Sequence, residues 1–471
     1  MRGIISCAGY VPYRRLDRSA IREFAGSGGG RGTRAVASFD EDTTTMGVAA
    51  ARLAVGAAAG TRLDSVWFAT AEPSYLEKTN ANAIHAALRL DTDVAAFDFG
   101  GAVRSGVGAL RAPLRGGGTT LVVSADIRGG LVTGADEANG GDGAAAVVVG
   151  DDTDGPLAAE YLGGASATEE FLDRWRTPGD ARTKQWEERF GETKYLPLAE
   201  RAWNDALKAA ELSADQVSVA VVTGTHARAV SRFGGKLGGV RVADDLGATV
   251  GQTGTAHASL LLASALEEAE PGQVIALVQL CDGADVLLFR TTDAVASRRA
   301  ARTVADQVGA GGAVTYAKYL QWRGMLPVQP PNRPEPARPS ASAAGRNEDW
   351  KYGFVGSRGT ESGMLHLPPA RVSIRDDDPI GSMEAAPMAD VLGTVATYTV
   401  DRLVYSVSPP VVFAVVDFDG GGRLPMELTD VDADGVRIGD RVEMTFRRLF
   451  TADGIHNYFW KARPVRDGSG S

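Results

Sequence analysis

Ala96-Phe-Asp-Phe-Gly-Gly-Ala-Val103-Arg-Ser-Gly-Val-Gly-Ala-Leu110 is the stretch on which the reading of this chain turns. A β-type run, Val94 to Phe99, enters a turn of small residues, and Gly106-Val-Gly-Ala-Leu110 then opens a buried helix. A strand-to-helix elbow presents one side chain at a helix N-terminus, where backbone N–H groups stabilise negative charge on a nucleophile or an oxyanion. Val103 occupies the tip. Its side chain has no nucleophilic atom and nothing to ionise, so a catalytic frame has an apolar residue at its centre.

Outward from the elbow, strands and helices alternate. Gly3 to Val11 reads as a first strand, Leu16 to Phe24 as a short helix, and the run Phe39-Asp-Glu-Asp-Thr-Thr-Thr-Met46 as the acidic N-cap region of an Ala-rich helix over Gly47 to Ala59. The glycine-rich run Gly26 to Gly32 lacks a GK[ST] ending and reads as a flexible loop rather than a phosphate loop. Strands are expected at Val66 to Ala69 and Thr119 to Ser124, and Asn139-Gly-Gly-Asp-Gly feeds a buried strand that ends at Gly150. The second half repeats the scheme. A helical insert (Glu169 to Phe190) precedes a long helix, Leu198 to Glu211. Strand Val217 to Thr223 and a helix near Val230 to Leu237 come next, then the turn Gly251-Gln-Thr-Gly-Thr and helix Ala258 to Glu268. Strand Val274 to Leu280 meets Cys281-Asp-Gly-Ala-Asp and strand Val286 to Arg290. Two similar α/β halves on one chain point to an internal duplication.

The whole-chain numbers agree with this reading and narrow it. With 471 residues, 44% of them hydrophobic and 23% charged, the chain is long enough for two or three domains. A net charge of -10 argues against nucleic acid or anionic lipid as the main partner, and leaves small acidic ligands such as CoA esters open. No apolar run has the length of a membrane span and the N-terminal Met1 to Tyr13 lacks the pattern of a signal peptide, so the cytoplasm is the expected compartment. Cys7 and Cys281 are the only cysteines, too few for a disulfide framework or a thiolate metal site.

The segments FDEDTTTMGVAAARLA, AFDFGGAVRSGVGAL, NGGDGAAAVVVGD, FLDRWR with WEERF, VGQTGTAHASL and CDGADVLLF, taken in order, resemble the thiolase superfamily. The branch they resemble is the bacterial and archaeal 3-hydroxy-3-methylglutaryl-CoA synthase group, related to ketoacyl-acyl carrier protein synthase III, over about Met1 to Arg290. The resemblance implies a five-layer αβαβα fold, a homodimer, and an acyl-CoA or acyl-carrier ligand with no further cofactor. That family uses a cysteine thiolate, a histidine and an asparagine. By position these fall at Val103, Thr223 and Gln252, all three changed. The synthase branch's glutamate falls at Ala71 or, with a one-residue slip, at Glu72. Three side chains are therefore the candidate substitutes for the missing triad: Glu72, His226, three residues past Thr223, and Cys281, whose loop in the family adds a backbone N–H to the oxyanion hole. The resemblance places Val103, Arg104, Gln252, Asp282 and Gly283 about the acyl thioester, while the sequence does not show whether Arg34, Arg104 and Arg128 gather at its phosphates.

Beyond Arg290 the composition shifts. Ala300 to Met325 is a helical arm, and the stretch Pro327 to Ala344 is too rich in proline for a regular element. Phe354 to Asp376 resembles the rubredoxin-like zinc ribbon found before an OB-fold in acyl-CoA-associated proteins. Gly359, Ser362, Ser373 and Asp376 stand where the ribbon needs cysteines, so no zinc is expected. Five strands follow, at Gly393 to Val400, Val411 to Phe418, Arg423 to Thr429, Arg441 to Phe450 and Asn457 to Pro464. They predict a small barrel resembling the same OB-fold family, whose members sit on a thiolase-type partner. The divisions are 1–155 and 156–295 for the two thiolase-like halves, 296–350 for the arm and linker, 351–380 for the ribbon relic and 381–471 for the OB-fold.

Two function classes compete. One is a non-catalytic acyl-CoA- or carrier-binding subunit that scaffolds a partner thiolase or synthase. The other is an acyltransferase or C–C condensing enzyme that acts on acyl thioesters without a covalent cysteine. Losing thiol, imidazole and amide together favours the first, because groups that act as a unit each cost orders of magnitude in rate.

Overall fold

The computed structural model describes residues 1–466. Two compact units form: one of residues 1–37, 49–82 and 92–316, the other of residues 38–48, 83–91 and 317–471.

The first unit is built on one ten-stranded sheet. Its first five strands are β1 (Arg2–Tyr10), β2 (Ser65–Thr70), β3 (Ala95–Gly100), β4 (Thr120–Asp126) and β5 (Gly143–Asp151). The second five are β6 (Ala159–Ala167), β7 (Val219–Gly224), β8 (Arg241–Val242), β9 (Val274–Leu280) and β10 (Ala284–Thr291). Across the sheet the order is β8-β7-β9-β10-β6-β1-β5-β4-β2-β3. The duplication is exact in topology: β1-β5-β4-β2-β3 and β6-β10-β9-β7-β8 each run antiparallel, antiparallel, parallel, parallel. The halves join where β1 meets β6 through Gly3↔Glu160 and Ile4↔Ala159. Gly3 is required there, since a Cβ on it would lie 2.1 Å from the Ala159 carbonyl oxygen.

Two helices occupy equivalent places in the two halves. Helix α1 (Ser105–Arg115) follows β3. Helix α4 (His257–Glu268) follows β8 and packs on α1; between them in sequence lie α2 (Glu188–Ala209) and α3 (Ala227–Lys236). Val107, Leu110 and Leu114 from α1 and Leu260 to Leu262 from α4 share one buried cluster with Ile4, Val147, Val221 and Leu277 of the strands. Each such fully buried aliphatic contributes about 1.5–3 kcal/mol, so the helices that follow the two elbows are anchored in a large shared core. This is the thiolase-type layering expected from the sequence.

Three expectations need correction. Leu16 lies on a strand, Arg14–Asp17, and the first helix begins only at Ser19. The region Glu169 to Phe190 is not a helical insert: it forms a two-stranded hairpin of Arg174–Trp175 with Lys184–Gln185, and α2 starts at Glu188. β6 was not foreseen at all. Its sequence, AEYLGGASA, is too rich in small residues to show a clear period.

In the second unit, β11 (Gly393–Asp401), β12 (Val411–Phe418), β13 (Arg423–Leu428), β14 (Arg441–Ala452) and β15 (Ile455–Pro464) close into a barrel. Burial alternates along β12, where Val412, Ala414, Val416 and Phe418 face the core around Phe446 and Trp460. The segment Ser38 to Val48 belongs to this unit and carries a buried ionic network. Arg447, 1% exposed, pairs with Glu41 and, at 2.8 Å, with Asp430; Lys461, also 1% exposed, pairs with Asp40 at 3.0 Å and Glu427 at 2.6 Å. The helix-cap reading of the acidic run therefore holds for Asp42, whose Oδ1 accepts the Thr45 N–H, and is revised for Asp40 and Glu41.

The ribbon-like hairpin pairs Val355–Gly359 with Leu365–His366 and Met383–Pro387. Its knuckle is closed by a carboxylate, and not by the Asp376 picked out from the sequence. Asp378 accepts the N–H groups of Glu361 (3.1 Å) and Ser362 (2.9 Å) and the Ser362 hydroxyl, while Asp376 is exposed. A Cβ on Gly359 would lie 2.0 Å from the Asp378 Oδ2. With no thiolate among Gly359, Ser362, Ser373 and Asp376 and the cradle filled by Asp378, these residues do not fit zinc.

Among the described residues no helix is long and apolar enough to cross a membrane.

Candidate functional site

The duplication brings the site together. Val103 lies between β3 and α1, and Gln252 lies in the equivalent connection between β8 and α4. The two connections meet, since a Cβ on Gly106 would sit 2.3 Å from the Thr255 carbonyl oxygen. Gly101, at φ 94°, makes the turn that lets β3 feed α1. Val103 is 8% exposed, so its side chain is packed away rather than displayed. Its carbonyl accepts the Gly106 N–H at 3.2 Å, inside the first turn of α1.

Arg104 joins this elbow to the Cys281 loop. Its Nε donates to Asp285 at 2.8 Å, Nη1 to the Asp282 carbonyl at 2.6 Å and Nη2 to the Thr168 hydroxyl at 2.9 Å. With every nitrogen engaged, Arg104 acts as a strut. Arg34, unlike the partly exposed Arg104, is fully buried against the carbonyls of Glu137 and Arg128 and against Asp142, so the three arginines do not form one cationic surface.

Thr223 is the penultimate residue of β7, 3% exposed and beside Gln279. The next carbonyl, of Gly224, accepts from the Gln252 amide at 3.3 Å, and the Gln252 Oε1 accepts the Gly254 N–H. Thr225 donates to the Cys281 sulfur at 3.8 Å. The structure thus gathers Arg104, Thr223, Gln252, Cys281, Asp282 and Gly283 around the paired elbows. Asp282 holds a left-handed φ of 46°, and Gly283 at φ 130° has no room for a side chain, its Cβ position lying 2.6 Å from Arg104 Nη1.

The candidate catalytic groups fare differently. Cys281 is 2% exposed; burial and the adjacent Asp282 carboxylate push its thiol up to about 12, so it stays protonated and unreactive at neutral pH. His226 is not a mobile loop residue. Buried at 1% exposure, it caps α3 by accepting the Ala229 N–H on Nδ1 at 3.1 Å, while Nε2 donates to the Glu188 carbonyl at 2.9 Å. Both ring nitrogens are engaged by backbone groups, which fixes the ring in a capping role. Glu72 forms an ion pair with Arg176 of the hairpin, and Arg174 of the same hairpin pairs with Asp136 at 2.7 Å.

One residue at this site escaped the sequence reading. Asp126, fully buried at the end of β4, accepts from the Thr70 hydroxyl (3.0 Å), the Ala71 N–H (2.8 Å), the Thr255 N–H (2.7 Å) and the Thr255 hydroxyl (2.6 Å). It ties the end of β2 to the start of α4. The available signal was Gly254, which at φ 59° would place a Cβ 2.1 Å from the Asp126 Oδ2.

Two duplicated α/β halves meeting at paired strand-to-helix elbows make a thiolase-type fold. The hydroxymethylglutaryl-CoA synthase of Methanopyrus kandleri is 29% identical over 353 residues, which cover 69% of this chain and 97% of that relative. A solved structure of MvaS in complex with 3-hydroxy-3-methylglutaryl coenzyme A aligns with a TM-score of 0.58 and 20% identity over 82% of this chain and 99% of that one. The 3-oxoacyl-[acyl-carrier-protein] synthase III of Aquifex aeolicus aligns with a TM-score of 0.51 and 20% identity over 62% of this chain and 100% of that one. Residues 387–447 match the family described as ChsH2, C-terminal OB-fold domain. Over about two thirds of its length the chain is similar to hydroxymethylglutaryl-CoA synthases, and its C-terminal barrel matches an OB-fold domain.

Proposed function

We propose that this chain binds an acyl-CoA or acyl-carrier thioester at the paired elbows without covalent capture, and serves as a non-catalytic subunit that shapes a partner thiolase or synthase. The observation that carries this reading is the absence of an available nucleophile. The elbow holds the packed side chain of Val103, and the thiol gathered at the site, Cys281, is held protonated by its surroundings. An acyl-enzyme requires a thiolate within reach of the thioester carbonyl. A capped His226 and an ion-paired Glu72 supply no replacement base. The reading extends to a two-fold homodimer with a cytoplasmic location, as expected for a synthase-like chain.

The test is to incubate the purified full chain with acetyl-, acetoacetyl- and longer acyl-CoAs while recording binding by calorimetry, intact mass and released CoA. Saturable binding with no mass adduct and no CoA release is expected. An acyl adduct on Cys281, or turnover, would overturn the proposal.

A further inference from the structure

The C-terminal barrel carries a cavity of about 410 Å³, a volume in the range that takes small organic ligands. Its wall is largely aromatic and aliphatic: Phe39, Tyr405, Phe413, Phe450, Val404 and Val407 all line it. The lip is exposed as well, with Val404 at 37%, Phe413 at 42%, Val407 at 54% and the neighbouring Leu403 at 61%. An apolar cluster of this kind around a concavity marks a binding site more often than a neutral surface. The position agrees, because apart from Phe39 the residues come from β11, β12, β13, β14 and the β11–β12 loop, which include the strand face and first loop with which an OB-fold meets ligands.

The charged groups of the wall decide what fits. Arg448 is its one cation among the described residues, and its guanidinium is engaged by the Phe39 carbonyl at 3.1 Å and by Asp42 at 3.7 Å. Glu427 is paired with Lys461, and Asp401 accepts the N–H groups of Leu403 and Val404 at 2.8 and 3.0 Å. An anion entering here would meet two carboxylates and a guanidinium already occupied. Nucleic acid is disfavoured for the same reason, since stacking platforms for single strands come with free cations along the groove.

We propose that this cavity is a binding site for an uncharged, apolar small molecule, separate from the thioester site at the elbows. Nile red, a neutral apolar dye, titrated against the full chain reads occupancy through its fluorescence. Saturable binding is expected, displaced by 1-octanol and at least tenfold less well by octanoate at pH 8. Phe413→Asp and Val404→Asp, both at exposed positions, should each weaken dye binding at least tenfold with an unchanged melting temperature. Absence of saturable binding, binding that neither substitution moves, or octanoate competing as well as octanol would overturn the proposal.

Discussion

Replacing Arg447 by methionine tests the buried network of the barrel unit. The guanidinium is 1% exposed and serves two carboxylates, Glu41 and Asp430, which are 2% and 5% exposed. Arg447→Met keeps the volume roughly constant and leaves both acids buried without their cation. Removing one partner of a buried ion pair costs about 3–5 kcal/mol, because the remaining charge is desolvated and unpaired. At about 2–4 °C per kcal/mol for a body of this size, the unit's transition should fall by roughly 6–20 °C in differential scanning calorimetry. The pH dependence has a definite sign. In the native protein burial opposes ionisation of Asp40, but Lys461 and Arg447 outweigh it and hold the carboxyl well below the usual range. Stability from such a group is present above its unfolded pKa and lost as pH falls through the folded one. Arg447→Met takes away one of the two cations that hold the Asp40 carboxyl down, so part of that stabilisation is lost wherever Asp40 is ionised. The deficit should therefore be full at pH 7 to 8 and shrink as pH falls below about 4. Adding Glu41→Gln and Asp430→Asn should recover most of the loss at neutral pH. A drop below about 2 °C, or a deficit that does not change with pH, would refute the reasoning.

Asp378→Asn should loosen the knuckle, because an amide cannot accept from all the donors that converge on the carboxylate; hydrogen exchange at Glu361 and Ser362 should quicken at least tenfold, and unchanged protection would show that the charge is not the keystone. Val103→Cys should be acylated slowly by acyl-CoA without turnover, and Val103→Cys with Thr223→His should acylate faster, at a packing cost of about 1 kcal/mol; if intact mass never shows a label at position 103 in a folded variant, the elbow is not an acyl site. Cys7 and Cys281, both buried with thiols raised by desolvation, should fail to react with Ellman's reagent at pH 8 until the chain is denatured. Reaction of Cys281 in the native protein would contradict the protonated thiol assigned to it.

What could be read from the residues, and what could not, follows the range of the interactions. The strands of the barrel were legible because alternation with period two is a local property: Val411–Phe418 and the start of Arg423–Leu428 fall where the pattern put them. The elbow was legible for the same reason, as small residues between an apolar strand and an apolar helix leave few other geometries. β6 was not, since Gly163, Gly164, Ala165 and Ser166 give no period and its place is set by β1 and β10 on either side. Side-chain surroundings at the site were hard to read in a related way. His226 was named from its nearness in sequence to Thr223, but what it does depends on the Glu188 carbonyl, 38 residues earlier.

The acids show the limit most directly. Asp40, Glu41 and Asp42 look alike as a run before a helix, and the cap geometry accounts for Asp42 alone, within three residues. Asp40 and Glu41 find their cations at Lys461 and Arg447, far along the chain, where no local signal could point. The same logic explains the knuckle. Counting along the motif picks out Asp376, but the space itself is claimed by the carboxylate two residues on, which meets N–H groups already aimed inward. Position in a motif predicts where a group will be; what it does there is decided by which donors and charges the fold brings against it. For this chain that distinction separates the intact thiolase-type frame from the chemistry at Val103, and it is why the functional proposal rests on the missing thiolate rather than on the frame.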